Sequence, residues 1–454
     1  MHAGGTLVIG VSGVRGVVGH GLTPDVAARF ASAMGSFCRG GRVIVGRDTR
    51  PSGEMLRHAV ISGLLATGCE VIDLGVCPTP TVQLAVRERG SAGIIITASH
   101  NPGEYNGLKF VSTTGIFLTA EEGAELRAIF DADRFAYIGH QPPGDVSMDG
   151  EAAKRHVSMV LGLSVLDVPR IQARKFKVVL DPGNGTGVVV ALPVLEALGC
   201  EVVLVNAEPT GIFSRGPEPI PENLGDLCKR VVSEGADVGF AIDPDGDRLS
   251  IVTEQGVAIG EEFSMVLGAD LVLSRAGGGV VVTNLSTSRM VDRVAERWGG
   301  HVSRTPVGEV HVSLEMMAKD AVFGGEGNGG VILPEAHLGR DASVGLALVL
   351  ELLADRRCSV SEARASLPHY TMIKTKARVD RGLGDRLLEV LAPLVEGGRI
   401  EKSDGVKISW DDGWLHVRSS NTEPIVRVVA EAEHRSRAEA LVEEALHLLS
   451  QGKT

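Results

Sequence analysis

One arrangement recurs three times in this chain and limits the folds open to it: apolar strand, small-residue loop, helical stretch, glycine, second strand. RVIVGRDTRPSG (42–53) leads into EMLRHAVISGLLATG and CEVIDLG. KVVLDPGNGTG (177–187) leads into VVVALPVLEALG and CEVVLVN, and GVVVTNLSTSRM (279–290) into VDRVAERWGG and HVSRTP. This is the grammar of the βαβ unit, whose strands pair in parallel through a right-handed crossover. Three copies predict three related α/β domains with mixed, largely parallel sheets. Beyond about residue 370 the pattern changes: the strands KISW, WLHVRS and IVRVVAEAE follow one another between the helix-like RLLEVLAPLVEGG and a final helix. That succession predicts a smaller α+β domain. A chain of 454 residues exceeds a single core, and the expected layout is 1–152, 153–254, 255–368 and 369–454. GHQPPGDVSMDG (139–150) reads as the loop nearest to a linker.

Composition removes several function classes. With 45 basic and 57 acidic residues the net charge is -12, which argues against nucleic acid as a partner while leaving small anionic substrates open to a local group of cations. The six cysteines form no CxxC pair and read as thiols of a reducing compartment. MHAGGTLVIGVSGVRG lacks the basic and apolar regions of a signal peptide. Stretches such as LALVLELLA (346–354) meet a charge well before the roughly 18 apolar residues of a membrane span. A soluble cytoplasmic protein, a monomer or homodimer without membrane partners, is the expectation.

Chemistry is concentrated in a few short motifs. Ser99 follows the apolar run AGIIIT and precedes His100, Asn101 and Pro102. Proline disfavours regular structure around it, which predicts a stiff loop at the end of a buried strand, a good place for a nucleophile. IDPDGDR (242–248) carries Asp243, Asp245 and Asp247 at alternate positions. On an extended loop that spacing turns three hard oxygen ligands to one side, as Mg²⁺ requires, and such burial makes sense only with a metal present. A calcium loop is the rival reading, because Glu254 is twelfth from Asp243, but Arg248 stands where that motif needs glycine and strands flank it where helices should.

Lys109, in EYNGLKF, lies one short loop beyond the serine and can carry a proton or steady negative charge; Arg15, in SGVRGVVG, is expected in a glycine-flanked turn. RSSNTEP (418–424) gathers a guanidinium, hydroxyls and an amide just after a strand, with Arg427 on the next, a set suited to phosphate. In GGEGNGG (324–330), Glu326 and Asn328 offer a carboxylate and an amide to sugar hydroxyls on a flexible backbone.

In this order and across almost the whole chain, TASHNP, DPDGDR, GEGNGG and RSSNTEP closely resemble the phosphoserine, Mg²⁺, sugar-binding and phosphate-binding loops of the α-D-phosphohexomutase superfamily. The resemblance implies four domains around a central cleft. It implies Ser99 as the phosphorylated residue and, with Asp243, Asp245 and Asp247, as an Mg²⁺ ligand. Arg248, Arg15, Lys109 and His100 would stand near the reacting phosphate. Glu326 and Asn328 would orient the sugar, a TPVG-like loop from Thr305 to Gly308 would join them, and Arg418, Ser420, Asn421, Thr422 and Arg427 would hold the phosphate that is not reacting. One departure is visible: where many bacterial members have GE-x-S-G-H, this chain has Asn328 in place of the serine and Gly330 in place of the histidine. GEGNGG with EYNG looks more like archaeal-type members.

The implied activity is interconversion of hexose 6- and 1-phosphates through a phosphoserine enzyme and a hexose 1,6-bisphosphate. Glucosamine phosphate is the first expectation for substrate, mannose and glucose phosphates the alternatives. A metal-dependent phosphatase using the same serine and a non-catalytic sugar-phosphate binder are the competing classes.

Overall fold

The structure, a computed structural model of the chain, describes residues 7–10, 13–378, 386–419 and 425–451. It divides into two compact units, one formed by Met1–Leu271 with Asn328–Arg364, the other by Val272–Gly327 with Ala365–Thr454.

The first unit holds two sheets. The larger has seven strands in the order Val8–Ile9, Gly13–Val17, Tyr105–Val111, Ala92–Ile96, Val43–Arg47, Val71–Val76, Val146–Met148. Its first four strands pair antiparallel and the last four parallel, so the sheet is mixed as expected. Alternation puts Val43, Val45, Ile94 and Ile96 on one face, where they pack with Phe30, Met34, Leu56 and Leu64 of the helices Pro24–Phe37 and Gly53–Ala66. The second sheet runs Leu249–Thr253, Val238–Ile242, Lys177–Asp181, Glu201–Leu204, with only its first pair antiparallel. Between Ala342 and Ala354 every residue of the helix Ala342–Arg356 is buried, as a continuous apolar run demands. Its one acid in that run, Glu351, is met by Arg170 at 2.6 Å.

In the second unit, Val280–Asn284 lies in parallel between His301–Thr305 and Phe323–Glu326. All three repeats are therefore βαβ units with parallel strands. A five-stranded antiparallel sheet, Thr371–Arg378, Ile425–Ala432, Gly413–Ser419, Val406–Ser409, Arg399–Glu401, buries Val406, Ile408, Leu415, Val417, Val426 and Val428 against Leu441, Ala445 and Leu449 of the helix Arg435–Gln451.

Three expectations change. The linker-like 139–150 contains the edge strand Val146–Met148, paired with Val71–Asp73. Arg15 stands in the strand Gly13–Val17, paired with Tyr105–Val111, not in a turn. The helix-like RLLEVLAPLVEGG yields only Leu387–Val390 and a 3-10 turn at Ala392–Leu394, since Pro393 cannot continue an α-helix. No helix among the described residues is long and apolar enough to cross a membrane.

Candidate active site

In open α/β sheets, binding groups collect beyond the carboxyl ends of parallel strands. Ser99 follows Ala92–Ile96 and Asp243 follows Val238–Ile242, one on each sheet of the first unit, and Ser99 Oγ donates to Asp243 Oδ2 at 3.1 Å. Ser99 is 7% exposed and has φ 49°, in the left-handed region that a side chain enters at a cost of about 1–3 kcal/mol. Its conformation is held by a residue with no distinguishing motif of its own. Fully buried Arg50 donates from Nη2 to the carbonyls of Ser99 and Asn101, both at 2.6 Å, and from Nη1 to those of Pro102 (2.7 Å) and Tyr105 (2.9 Å). Asp48 anchors the Arg50 Nε at 3.0 Å and accepts the Thr97 hydroxyl at 2.6 Å, while Thr97 Oγ1 accepts the Ser99 N–H at 2.9 Å. The only signal in sequence was a charged turn, RDTR, after a strand.

Asp243, Asp245 and Asp247 converge as expected, but through a tight turn between antiparallel strands and not along an extended loop. Gly246 takes φ 75° there and its N–H reaches the Asp243 carbonyl at 3.1 Å. Asp243 Oδ1 accepts the N–H groups of Asp247 (3.0 Å) and Arg248 (3.1 Å). The flanking strands, with Glu254 engaged by Ser361, leave no calcium loop of the helix-loop-helix kind.

All three carboxylates are buried, and one ligand oxygen from each lies within 4.8 Å of the others. Their charge is met in part by protein cations, so burial does not require a metal outright. Lys109 Nζ lies 2.7 Å from Asp245 Oδ2 and 3.6 Å from Asp247 Oδ2, and Arg340 Nη2 is 2.7 Å from Asp247 Oδ2. Thr79 Oγ1 also donates to Asp245 Oδ2 at 2.8 Å. Burial, then Asp247 and Asp245, pushes the Asp243 carboxyl well above the usual range. Burial opposes ionisation of Asp245 and Asp247 too, but Lys109 beside the first and Arg340 beside the second hold them below the usual value.

The donor set fits a hard divalent cation. Asp245 Oδ1 and Asp247 Oδ1 are buried without a hydrogen bond, the second with Arg248 Nε 3.7 Å away, and a buried carboxylate oxygen left so is costly unless a cation takes it up. With Asp243 and the Ser99 hydroxyl they offer oxygen ligands only.

Other expected groups gather here as well. His100 Nδ1 is 3.4 Å from Ser99 Oγ; Arg248, then burial and Arg15, keeps this imidazole neutral by lowering its pKa well below the ordinary value. Arg248 Nη1 pairs with Glu218 at 3.2 Å, and Arg15 Nη1 donates to Asn101 Oδ1 at 3.2 Å. Asn328 Oδ1 accepts the Gly330 N–H at 3.2 Å. Arg340, like Arg50, was not anticipated: a lone arginine before an apolar helix carries no local signal.

The second unit brings together a different set, again beyond the ends of parallel strands. Glu326 Oε1 accepts from Asn284 Nδ2 at 2.7 Å and from the Gly308 N–H at 3.0 Å, and Thr305 Oγ1 donates to the Pro306 carbonyl at 2.9 Å. Asp404 Oδ2 takes the Val307 N–H at 3.0 Å and lies 3.8 Å from Arg418 Nη1. Arg418 stands directly opposite Arg427 on the neighbouring strand. Like charges so placed destabilise a sheet, and an anion relieves them. Ser420, Asn421 and Thr422 lie outside the described residues.

Comparison with known proteins identifies the family. Models of the phosphoglucomutase/phosphomannomutase family match along the chain: alpha/beta/alpha domains I, II and III at residues 6–137, 154–256 and 260–370, and the C-terminal domain at 374–448. A relative from Thermococcus kodakarensis named "Phosphoglucomutase/phosphomannomutase" is 40% identical, covering 98% of each chain. One from Methanopyrus kandleri named "Probable phosphoglucosamine mutase" is 39% identical, covering 97% of each. The crystal structure of a phosphoglucomutase/phosphomannomutase family protein from Burkholderia thailandensis superposes with a TM-score of 0.85 at 29% identity, covering 98% of both chains. Sequence and fold thus agree that the chain belongs to the phosphoglucomutase/phosphomannomutase family of the α-D-phosphohexomutase superfamily.

Proposed function

We propose that this protein interconverts the 6- and 1-phosphates of a hexose, glucosamine phosphate before mannose or glucose phosphate, by way of phosphoserine 99 and a 1,6-bisphosphate. The observation that carries the reading is the contact between Ser99 Oγ and a buried trio of carboxylates in which Asp245 Oδ1 and Asp247 Oδ1 make no hydrogen bond. The relatives' names support the activity and place glucosamine among the candidate sugars.

In the forward step the P–O bond to Ser99 breaks as a bond forms to the free hydroxyl of the sugar monophosphate, and the hydroxyl's proton ends on the serine oxygen. His100, held neutral within 3.4 Å of that oxygen, is placed to pass it. Asp243, Asp245, Asp247 and Ser99 would hold Mg²⁺, which when bound would supply charge neutralisation for phosphoryl transfer. Lys109 and Arg248 add fixed positive charge, and preorganised charge together with in-line positioning supplies most of the catalysis in phosphoryl transfer. Arg418 and Arg427, with Ser420, Asn421 and Thr422, hold the phosphate that is not reacting; Glu326 and Asn328 orient the sugar, with Thr305 and Gly308 beside it. After the bisphosphate turns over, the second phosphate returns a phosphoryl group to Ser99. The four-domain division at 152, 254 and 368 is part of this reading.

The test is kcat/KM for the 1-phosphates of glucosamine, mannose and glucose, with a trace of bisphosphate and Mg²⁺. Isomer formation without phosphate release, highest for glucosamine 1-phosphate, is expected. Net phosphate release would identify a phosphatase, and a higher value for another hexose would move the substrate assignment.

A further inference from the structure

Arg340 is unusual in what surrounds it. It is 7% exposed, and its Nη2 sits 2.7 Å from Asp247 Oδ2, the oxygen on the opposite side of the carboxylate from Oδ1, which makes no hydrogen bond and has Arg248 Nε at 3.7 Å. Its backbone is fixed by a buried polar frame. The next residue, Asp341, caps the helix Ala342–Arg356 by accepting the N–H groups of Ser343 (2.8 Å) and Val344 (3.3 Å). Its Oδ2 meets His156 Nε2 at 2.7 Å and His337 Nε2 at 3.2 Å, and its own N–H reaches the Val331 carbonyl at 3.0 Å. The Ala342 N–H then bonds to the carbonyl of Gly246 inside the acidic turn, at 3.2 Å. Arg340 is therefore delivered to the carboxylates by a rigid strut.

Its path to Asp247 exists only because residue 330 lacks a side chain. A Cβ on Gly330 would fall 2.1 Å from Arg340 Cδ and 2.8 Å from its Cγ, closer than atoms can approach. The backbone at Gly330 is outside the left-handed region, so conformational freedom is not the reason for glycine here. Space for the arginine is.

We infer that Arg340 is a positioning residue of the phosphoryl-transfer site, a resident counter-ion that holds Asp247 by Oδ2, keeps the carboxylate trio assembled without a divalent cation, and lowers the trio's affinity for that cation. The inference rests on the reading of Asp243, Asp245 and Asp247 as a metal site. A fixed positive charge beside three buried carboxylates offsets their repulsion and competes with any second cation for the same field. Glycine at 330 is then part of the same device.

The experiment measures Mn²⁺ affinity by electron paramagnetic resonance and the urea midpoint with and without Mn²⁺, using chelator-treated full-length protein with the phosphorylation state matched by intact mass. Arg340→Met should bind Mn²⁺ about tenfold more tightly than the wild type. It should lose stability chiefly in the metal-free state, so that Mn²⁺ shifts its midpoint more. Arg340→Lys should stay near wild type. Gly330→Ala should reproduce the tighter binding by dislodging the guanidinium, and adding Arg340→Met to it should change the affinity no further. Unchanged or weaker Mn²⁺ binding by Arg340→Met, with equal loss of stability in both states, would mean that the side chain only packs and would overturn the inference. Failure of the wild type to bind Mn²⁺ at all would instead remove the metal reading and this inference with it.

Discussion

Replacing Arg50 by methionine tests how the serine loop is held. Five side-chain hydrogen bonds disappear: one to Asp48 and four to the carbonyls of Ser99, Asn101, Pro102 and Tyr105. Asp48, whose carboxyl is already raised by burial against the pull of Arg50, is left without its counter-charge. Removing one partner of a buried ion pair costs about 3–5 kcal/mol. Some of the freed carbonyls will take up water, which keeps the total near the middle of that range, and about 4 kcal/mol corresponds to roughly a thousandfold in local opening. Because Ser99 sits in a strained conformation, the released energy is spent locally, in the loop. Hydrogen–deuterium exchange of peptides spanning residues 97–107 should accelerate by that order. The helix Arg435–Gln451 in the other unit should exchange as before. Turnover should fall about a hundredfold, the usual consequence of misplacing a reacting atom by about 1 Å. Unchanged exchange across 97–107 would refute the argument that Arg50 imposes the loop's geometry.

Three further predictions concern charge. Asp149 is held well below the usual carboxylate range by hydrogen bonds from Arg155 and then Arg89, so its contribution is present above the unfolded-state value near 3.8 and lost as pH falls below it. Asp149→Asn should lower stability by about 1–2 kcal/mol at pH 7, after allowance for the partly exposed arginines, and the difference in urea midpoint should vanish in acid. His416, pushed down to about 4 by burial, is neutral in the folded state. His416 should therefore contribute about 3 kcal/mol to the wild type's loss of stability between pH 6.5 and 4, and His416→Gln should make that part of the profile shallower by this amount. Parallel profiles would contradict the assignment. Arg418→Met should raise KM for the sugar phosphate about tenfold or more with little change in kcat, as expected for lost binding of a phosphate that does not react.

The sequence made the strand-helix-strand repeats legible because hydrophobic period and glycine position are local properties. The mixed first sheet is harder to foresee: the two glycines flanking Arg15 favour a turn, whereas pairing with Tyr105–Val111 overrides that local preference. Ser99 and the aspartates were readable because chemistry of that density in a short motif has few other uses. Arg50 and Arg340 were not, since what they do depends on carbonyls about 50 residues away and on a carboxylate 93 residues away. The role of Gly330 emerges only from the space that its missing side chain leaves.

The most direct test is the fate of one phosphoryl group. Intact-protein and peptide mass spectrometry of the protein incubated with hexose 1,6-bisphosphate and Mg²⁺ should place a single phosphoryl group on Ser99. A chase with sugar monophosphate should transfer it to the sugar, and Ser99→Ala should carry none and lose turnover by several orders of magnitude. Phosphate found elsewhere, or an alanine variant that still isomerises hexose phosphate at the wild-type rate, would contradict the account.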